Sequence, residues 1–106
     1  MTATEFFIAI KTTYRKDSEE SEESVLEAHA RPRLLVIDEI GKRSENEWED
    51  RLLFELVDRR YRDMTDTLLI SNADKVEFTK SIGASLASRM NETGGIIECK
   101  WESFRK

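Results

Sequence analysis

The run Leu34-Leu-Val-Ile-Asp38-Glu39 constrains the fold of this chain more than any other stretch. Four consecutive apolar residues followed by carboxylates are typical of a strand buried on both faces, as strands are in a parallel sheet. The carboxyl ends of parallel strands open into the crevice where α/β proteins bind ligands. The run therefore predicts a parallel sheet with Asp38 and Glu39 at its ligand-binding edge. The alternative is a strand that simply runs into an acidic turn.

The other apolar patterns predict an α/β fold in which strands alternate with helices. Such alternation favours a parallel sheet with right-handed crossovers. Capping motifs and helical spacing leave the start of the second helix open between Ser18, Ser21 and Ser24. Strands are expected near 33–38, 67–70 and 96–99, and helices over 3–16, up to Pro32, over 45–61 from the capping box Ser44–Glu47, and around Ile82, Leu86 and Met90 up to Gly94.

Length, charge and cysteine content limit the functional classes. The chain has 106 residues, enough for one small domain. Its net charge of −5 is concentrated in residues 17–27, which hold six acids and no base, and we interpret this stretch as solvated surface. The remainder is close to neutral, so no global basic surface for nucleic acid is expected. No stretch suits a membrane span or signal peptide, and one cysteine, Cys99, is compatible with a cytoplasmic location.

Several polar residues outside the first strand suit phosphate chemistry. Asn72 follows the second predicted strand, where its amide can bond a γ-phosphate or orient a water, or else cap the next segment as a turn residue. Arg89 and Arg105 carry planar, charged guanidinium groups that suit phosphate, although solvated surface is the alternative for each. A further cluster can contact DNA phosphates or stabilise the end of its helix: Arg59, Arg60 and Arg62.

The order of the local motifs resembles one protein family. The motifs are Leu34-Leu-Val-Ile-Asp-Glu-Ile-Gly41, Asp58-Arg-Arg-Tyr61, Leu68-Leu-Ile-Ser-Asn72, Ser88-Arg-Met90 and Trp101-Glu-Ser-Phe-Arg105. They resemble the DnaC-type helicase loaders and the IstB-type transposition ATPases, which are AAA+ ATPases. The resemblance covers essentially the whole chain. It implies a P-loop NTPase-type parallel sheet with flanking helices, and ATP and Mg²⁺ as cofactors of the intact proteins.

The resemblance also implies a role for each candidate residue. Asp38 and Glu39 would be the Walker B pair, with Asp38 holding Mg²⁺ through water and Glu39 polarising the attacking water. Asn72 would be the sensor 1 residue, Arg89 the arginine finger that acts on ATP held by a neighbouring subunit, and Arg105 the sensor 2 arginine. The implied partners are a replicative helicase and single-stranded DNA, and the resemblance also allows a homo-oligomer.

The sequence contains no phosphate-binding loop of the form Gly-x-x-x-x-Gly-Lys-Ser/Thr. Only Gly41 is followed by lysine, and Lys42 lies beyond the first predicted strand. In the family this loop lies N-terminal to the position of Met1. We therefore expect residues 1–106 to be an incomplete AAA+ domain, from after the second family strand to the sensor 2 arginine, that hydrolyses ATP only when completed. The alternatives are a non-enzymatic remnant or interaction module for a protein partner, and a fragment of an IstB-type transposition ATPase.

Overall fold

The computed structural model describes residues 1–40 and 46–95. These residues form helices and strands in the order α1 (Ala3–Thr12), α2 (Glu22–Ala30), β1 (Leu34–Ile37), α3 (Glu47–Arg62), β2 (Asp66–Leu69), α4 (Lys75–Ile82) and α5 (Ala84–Thr93). The strand predicted near 96–99 and the candidate residue Arg105 lie outside the described residues. No helix within the described ranges is both long and apolar enough to cross a membrane.

The sheet is parallel, as the sequence predicts, and in the described part of the chain it has two strands. β1 and β2 pair in a register that sets Leu34 beside Asp66 and Ile37 beside Leu69. α3 forms the crossover between them. On the other side of β1, the backbone N–H of Asp38 donates to the Met1 carbonyl at 2.8 Å, and Thr2 bridges to Asp38. The extended residues before α1 therefore continue the sheet by one short pairing.

All five described helices contribute to one core on a single face of this sheet. Ile37 is fully buried there, and Leu35 and Leu69 pack against the same cluster. The long helix α3 supplies the centre of the core through Leu52 and Leu56, both fully buried. The remaining helices add Phe6, Phe7 and Ile10 from α1, Val25 and Leu26 from α2, Phe78 and Ile82 from α4, and Leu86 from α5.

The opposite face of the sheet is uncovered, which corrects the prediction of strands buried on both faces. Side chains alternate along a strand, so Leu34 and Val36 point away from the core, as do Leu68 and Ile70. Leu34 is 59% exposed, Leu68 50% and Ile70 39%. We call these four residues the open sheet face. Parallel sheets normally carry helices on both faces. Burial of this open apolar face against another chain would therefore be favourable.

We expect the isolated 106-residue chain either to self-associate through the open sheet face or to have a low melting temperature. Replacing Leu34 and Leu68 by threonine should increase the monomer fraction in size-exclusion chromatography, because threonine keeps strand propensity and removes apolar exposure. The control is Val76→Thr, which removes a 64% exposed apolar side chain from α4. A sharp monomer peak for the unmodified chain with cooperative melting above about 60 °C would contradict the expectation.

The structure corrects or settles several helix bounds, and α1 ends at Thr12 instead of near residue 16. α2 begins at Glu22 because Ser21 and Ser24 form a reciprocal capping box, which settles the open choice in favour of Ser21. α3 begins at Glu47 with Asn46 as its cap, and Ser44 of the predicted capping box lies outside the described residues. The helix predicted around Ile82 and Leu86 is two helices, because Gly83 has φ 83°, a conformation that interrupts a right-handed helix and that glycine adopts without strain.

Part of the acidic stretch is paired rather than merely solvated, which corrects its interpretation. Glu22 accepts from Arg51 at 3.0 Å, and Glu23 binds both guanidinium nitrogens of Arg59 at 2.8 and 2.6 Å. The bond from Arg51 lowers the pKa of Glu22, and the bonds from Arg59 lower the pKa of Glu23. These pairs fasten the start of α2 to the exposed side of α3. Glu22 and Glu23 therefore form ion pairs that hold α2 against α3.

Arg60 is fully buried, so it does not contact DNA phosphates as its cluster suggested it could. Its guanidinium donates to the carbonyls of His29 at 3.0 Å, Ala30 at 3.2 Å and Asp66 at 2.6 Å, and to the Thr67 hydroxyl at 2.8 Å. Burial lowers the pKa of Arg60 below its ordinary value, opposed by the nearby Asp66 carboxylate. Arg60 therefore ties the C-terminal end of α2 to the beginning of β2.

Candidate functional site

The first candidate site lies where β1 and β2 end. Asp38 and Glu39 follow β1, and Asn72 follows β2 by a few residues. The two chain segments stay together beyond the strands, because Ile70 N–H donates to the Ile37 carbonyl at 2.9 Å and Ile40 N–H to the Ile70 carbonyl at 3.1 Å. The topology thus brings these three candidate residues to one edge of the sheet. We call them the carboxyl-end cluster.

The backbone at Asp38 and Glu39 turns sharply. Glu39 has φ 59°, in the left-handed region, and its N–H donates to the Asp38 carboxylate at 2.7 Å. Both residues are exposed, while the next residue, Ile40, is fully buried and anchors the turn. Two adjacent carboxylates are therefore presented to solvent from a fixed turn. An exposed aspartate oxygen suits Mg²⁺ held through water, and a glutamate beside it can accept a proton from a bound water.

Asn72 is exposed beside this turn and does not cap α4. Asp74 is the cap, because its carboxylate accepts from the Glu77 N–H at 2.8 Å. The tighter turn between β2 and α4 is held by the Ser71 hydroxyl, which accepts from the Ala73 N–H at 3.0 Å. The capping role considered for Asn72 therefore belongs to its neighbours. Its exposed amide remains a candidate for hydrogen bonding to a phosphate or water at the edge of the sheet.

The carboxyl-end cluster alone does not form a complete metal site. In the described part of the chain no group of three His, Cys, Asp or Glu side chains is arranged to hold a metal ion. Mg²⁺ prefers six oxygen ligands and usually keeps several waters while binding one or two carboxylates and substrate phosphates. Asp38 fits a site of that kind as a single carboxylate contact, with the remaining ligands coming from water and phosphate.

Arg89 lies elsewhere in the fold, on α5 against the last turns of α3. One guanidinium nitrogen is 2.9 Å from the Asp58 carboxylate, and the other is 3.5 Å from Glu92. The guanidinium carbon lies 4.6 Å from the centre of the Tyr61 ring. Its side chain is only 30% exposed. The interpretation of Arg89 as a freely solvated residue is therefore wrong.

The position of Arg89 separates it from the carboxyl-end cluster. Asp58 and Tyr61 belong to the end of α3 that leads into the beginning of β2, whereas Asn72 follows the end of β2. The four residues of β2 span about 13 Å at ~3.3 Å each. Arg89 thus lies towards the opposite end of the sheet from Asp38 and Glu39. In this arrangement Arg89 is poorly placed to contact a phosphate held by the same chain's cluster.

An aromatic surface at the end of α1 was not recognised as a candidate site from the sequence. Tyr14 is 56% exposed, and its ring packs edge-on against Trp48, whose indole N–H donates to the Tyr14 hydroxyl at 3.0 Å. The Lys11 ammonium lies 5.3 Å from the centre of the Trp48 ring. Trp48 lies in the helix predicted over 45–61 and packs partly against the core. The spacing of Lys11 and Tyr14 on one helix face was the available signal, but their partner is 34 residues from Tyr14.

Comparison with known proteins identifies relatives over the full chain. The model of the family described as IstB-like ATP binding protein matches residues 2–106. The replicative helicase loader DnaC of Escherichia coli K12 is 33% identical over 106 residues, which cover 99% of this chain and 43% of that protein. DnaC of Buchnera aphidicola subsp. Baizongia pistaciae is 29% identical over 107 residues, covering 100% of this chain and 44% of that protein.

A further relative has no described activity. The uncharacterized protein YdaV of E. coli K12 is 30% identical over 106 residues, covering 99% of this chain and 42% of that protein. The chain therefore spans less than half the length of the curated relatives that it matches. The resemblance to the DnaC and IstB proteins that the sequence motifs predicted is confirmed.

Proposed function

This chain belongs to the IstB-like ATP binding protein family, and from that premise we propose that it is the catalytic-residue half of an ATP-dependent helicase loader. In this proposal the chain supplies the Walker B, sensor and arginine-finger residues. The phosphate-binding loop comes from polypeptide outside these 106 residues. ATP binding and hydrolysis by the completed protein would drive the loading of a replicative helicase onto DNA.

The observation that carries the proposal is the carboxyl-end cluster. Asp38, Glu39 and Asn72 are exposed together at the edge of a parallel sheet where ligands bind. Asp38 would hold Mg²⁺ through water, Glu39 would take the proton of the attacking water, and Asn72 would orient that water or the γ-phosphate. Mg²⁺ would neutralise charge on the phosphates. Arg105, which lies outside the described residues, is proposed as the sensor 2 arginine from the sequence resemblance.

The proposed partners are a replicative helicase, single-stranded DNA and further copies of the chain. The helicase is proposed because the DnaC relatives are helicase loaders. Tyr14 supports single-stranded DNA, because its ring is 56% exposed beside Trp48 and Lys11, and an exposed aromatic ring near a cation can stack a base. Association between copies is supported by the position of Arg89 away from its own chain's cluster.

A non-enzymatic interaction module is the second candidate function. The open sheet face favours it, because Leu34 and Leu68 expose half or more of their surface on a parallel sheet. A module of this kind would bind a protein partner through that face and would not use Glu39. The two functions are separated by whether replacement of Glu39 changes a rate of hydrolysis.

The 106-residue chain alone is expected not to bind Mg-ATP tightly. The carboxyl-end cluster can place a water and a metal ion, but the sequence has no glycine-rich loop and lysine to hold the phosphate chain. Titration calorimetry with Mg-ATP is the direct measurement. A dissociation constant in the low micromolar range, about −8 kcal/mol of binding free energy, would refute the expectation.

The proposed function is tested in a chimera that carries a phosphate-binding loop. The stretch of the E. coli loader that matches this chain is replaced by residues 1–106, and ATP hydrolysis is measured with single-stranded DNA present. The chimera is expected to hydrolyse ATP, and Glu39→Gln is expected to slow it by about 10²-fold because the general base is lost. Glu77→Gln, which removes an exposed carboxylate from α4, is the control. A chimera that binds ATP but hydrolyses it equally fast with and without Glu39 would favour the interaction module.

A further inference from the structure

The guanidinium of Arg89 is flanked by acids at both of its terminal nitrogens. Asp58 on α3 lies 2.9 Å from one nitrogen, and Glu92 on α5 lies 3.5 Å from the other. Tyr61 stacks on one face of the group, with its ring centre 4.6 Å away. We call Asp58, Glu92 and Tyr61 the Arg89 clamp. Its members come from two helices, so the clamp also joins α5 to α3.

The clamp hinders the approach of a phosphate by electrostatic repulsion and not by filling the space around Arg89. Arg89 borders two surface grooves of ≈ 360 and ≈ 450 Å³, so a phosphate group has room to come near. A guanidinium binds phosphate through the same two nitrogens that now face Asp58 and Glu92. Asp58 is further held by Arg62 at 3.3 Å, which keeps its carboxylate in place. An incoming phosphate would have to displace these carboxylates or accept their repulsion.

We propose that Asp58 and Glu92 shield Arg89 from phosphate, and that Arg89 engages a phosphate only when α5 shifts so that Arg89 leaves Asp58 on α3, while the weak contact to the exposed Glu92 on α5 gives way to the phosphate. A regulatory function of the clamp rests on the proposed role of Arg89 as a residue that acts on nucleotide in a neighbouring subunit. The clamp then keeps the arginine neutralised until subunits assemble. It would limit unproductive hydrolysis in chains that have not yet met their partners.

The two acidic contacts of Arg89 differ in strength and in the helix that carries them. Glu92 is 58% exposed and meets Arg89 at the longer distance, so its hold is weak. Asp58 is only 21% exposed, and its contact is the shorter one. α5 starts at Gly83 with no side-chain hydrogen bond at its cap. Displacement of α5 from α3 would therefore break chiefly the Asp58 contact and the Tyr61 stacking.

The test is the reactivity of Arg89 towards phenylglyoxal, followed by peptide mass spectrometry on the 106-residue chain, with and without inorganic tripolyphosphate. In the unmodified chain Arg89 should react slowly, and tripolyphosphate should leave that rate unchanged. In the Asp58→Asn, Glu92→Gln double variant Arg89 should react at least about fivefold faster, and tripolyphosphate should slow the reaction again. Arg15, which is exposed in the segment after α1, is the internal reference.

The matched control is Asp17→Asn with Glu19→Gln, which removes the same charge from the exposed acidic stretch. Equal acceleration at Arg89 in this control, or protection by tripolyphosphate in the unmodified chain, would overturn the proposal. If the double variant fails to fold, Glu92→Gln alone should still show a smaller acceleration, and no acceleration overturns it. The hydrolysis assay of the chimera is independent: an Arg89→Ala chimera with an unchanged rate refutes the role in hydrolysis without altering the labelling result.

Discussion

Replacing Arg89 by alanine in the chimera is expected to lower ATP hydrolysis by about 10³-fold while nucleotide binding stays nearly unchanged. The reason is its position: Arg89 lies with Asp58 and Tyr61 towards the opposite end of the sheet from Asp38 and Glu39. Such a residue can stabilise the charge that develops on a phosphate in a neighbouring subunit. We expect it to contribute little to holding the nucleotide of its own subunit.

Mixing two inactive variants gives the sharpest measurement of this effect. An Arg89→Ala chimera keeps an intact Glu39, and a Glu39→Gln chimera keeps an intact Arg89. If the arginine acts between subunits, the mixture recovers part of the hydrolysis rate that neither variant has alone. Arg51→Ala, which removes an arginine that pairs with Glu22 and Glu55, is the control and should leave the rate unchanged. No recovery on mixing would mean that Arg89 does not act in trans.

Replacing Arg60 by methionine is expected to cost at least about 3 kcal/mol in the free energy of unfolding. Methionine fills a similar volume, but it leaves the buried carbonyl of Ala30 and the partly buried carbonyls of His29 and Asp66 without their shared donor. Each unsatisfied buried acceptor costs about 1–3 kcal/mol, and small domains have only about 5–15 kcal/mol of stability in total. The variant should therefore be largely unfolded or have a much lower denaturation midpoint.

The comparison that isolates burial is Arg62→Met, two residues further along α3. Arg62 is 65% exposed and makes an ion pair with Asp58 at 3.3 Å, so its loss should change stability by less than about 1 kcal/mol. Arg60→Lys should fall between the two, because one ammonium cannot match the fork of donors that reaches four acceptors. Urea denaturation of the chimera measures all three. Equal midpoints for the variants at 60 and 62 would show that the buried hydrogen bonds contribute little.

Local patterns were enough to predict the elements that depend on neighbouring residues. The apolar run before Asp38 is a strand, the run before Ser71 pairs with it in parallel, and the apolar stripe of α3 faces the core. These features follow from periodicity and from the crossover rule, which need no knowledge of distant contacts. The placement of Asp38, Glu39 and Asn72 at one edge follows from the same rule.

The features that sequence did not predict depend on contacts between distant residues. Arg59, Arg60 and Arg62 belong to the same arginine cluster in the sequence. Of these three, Arg60 is the one that is fully buried, with its guanidinium facing carbonyls at the end of α2. The partners of Glu22 and Arg89 are likewise on other helices. A charge pattern shows that such residues are present but not which way each one points. The open sheet face escaped prediction because an apolar run indicates that both faces of a strand are suited to burial, but not whether another element covers each face.

The turn at Glu39 has a consequence for laboratory selection. Glu39 and Met64 are the non-glycine residues with positive φ in the described ranges, at 59° and 58°. A side chain in this conformation costs about 1 kcal/mol, and glycine relieves most of it. Met64 lies in an exposed turn between α3 and β2, so glycine at this position would remove only a solvent-exposed methionine side chain. A selection for thermal stability alone should therefore accept glycine at both positions, whereas a selection that also required hydrolysis should accept it at 64 and reject it at 39.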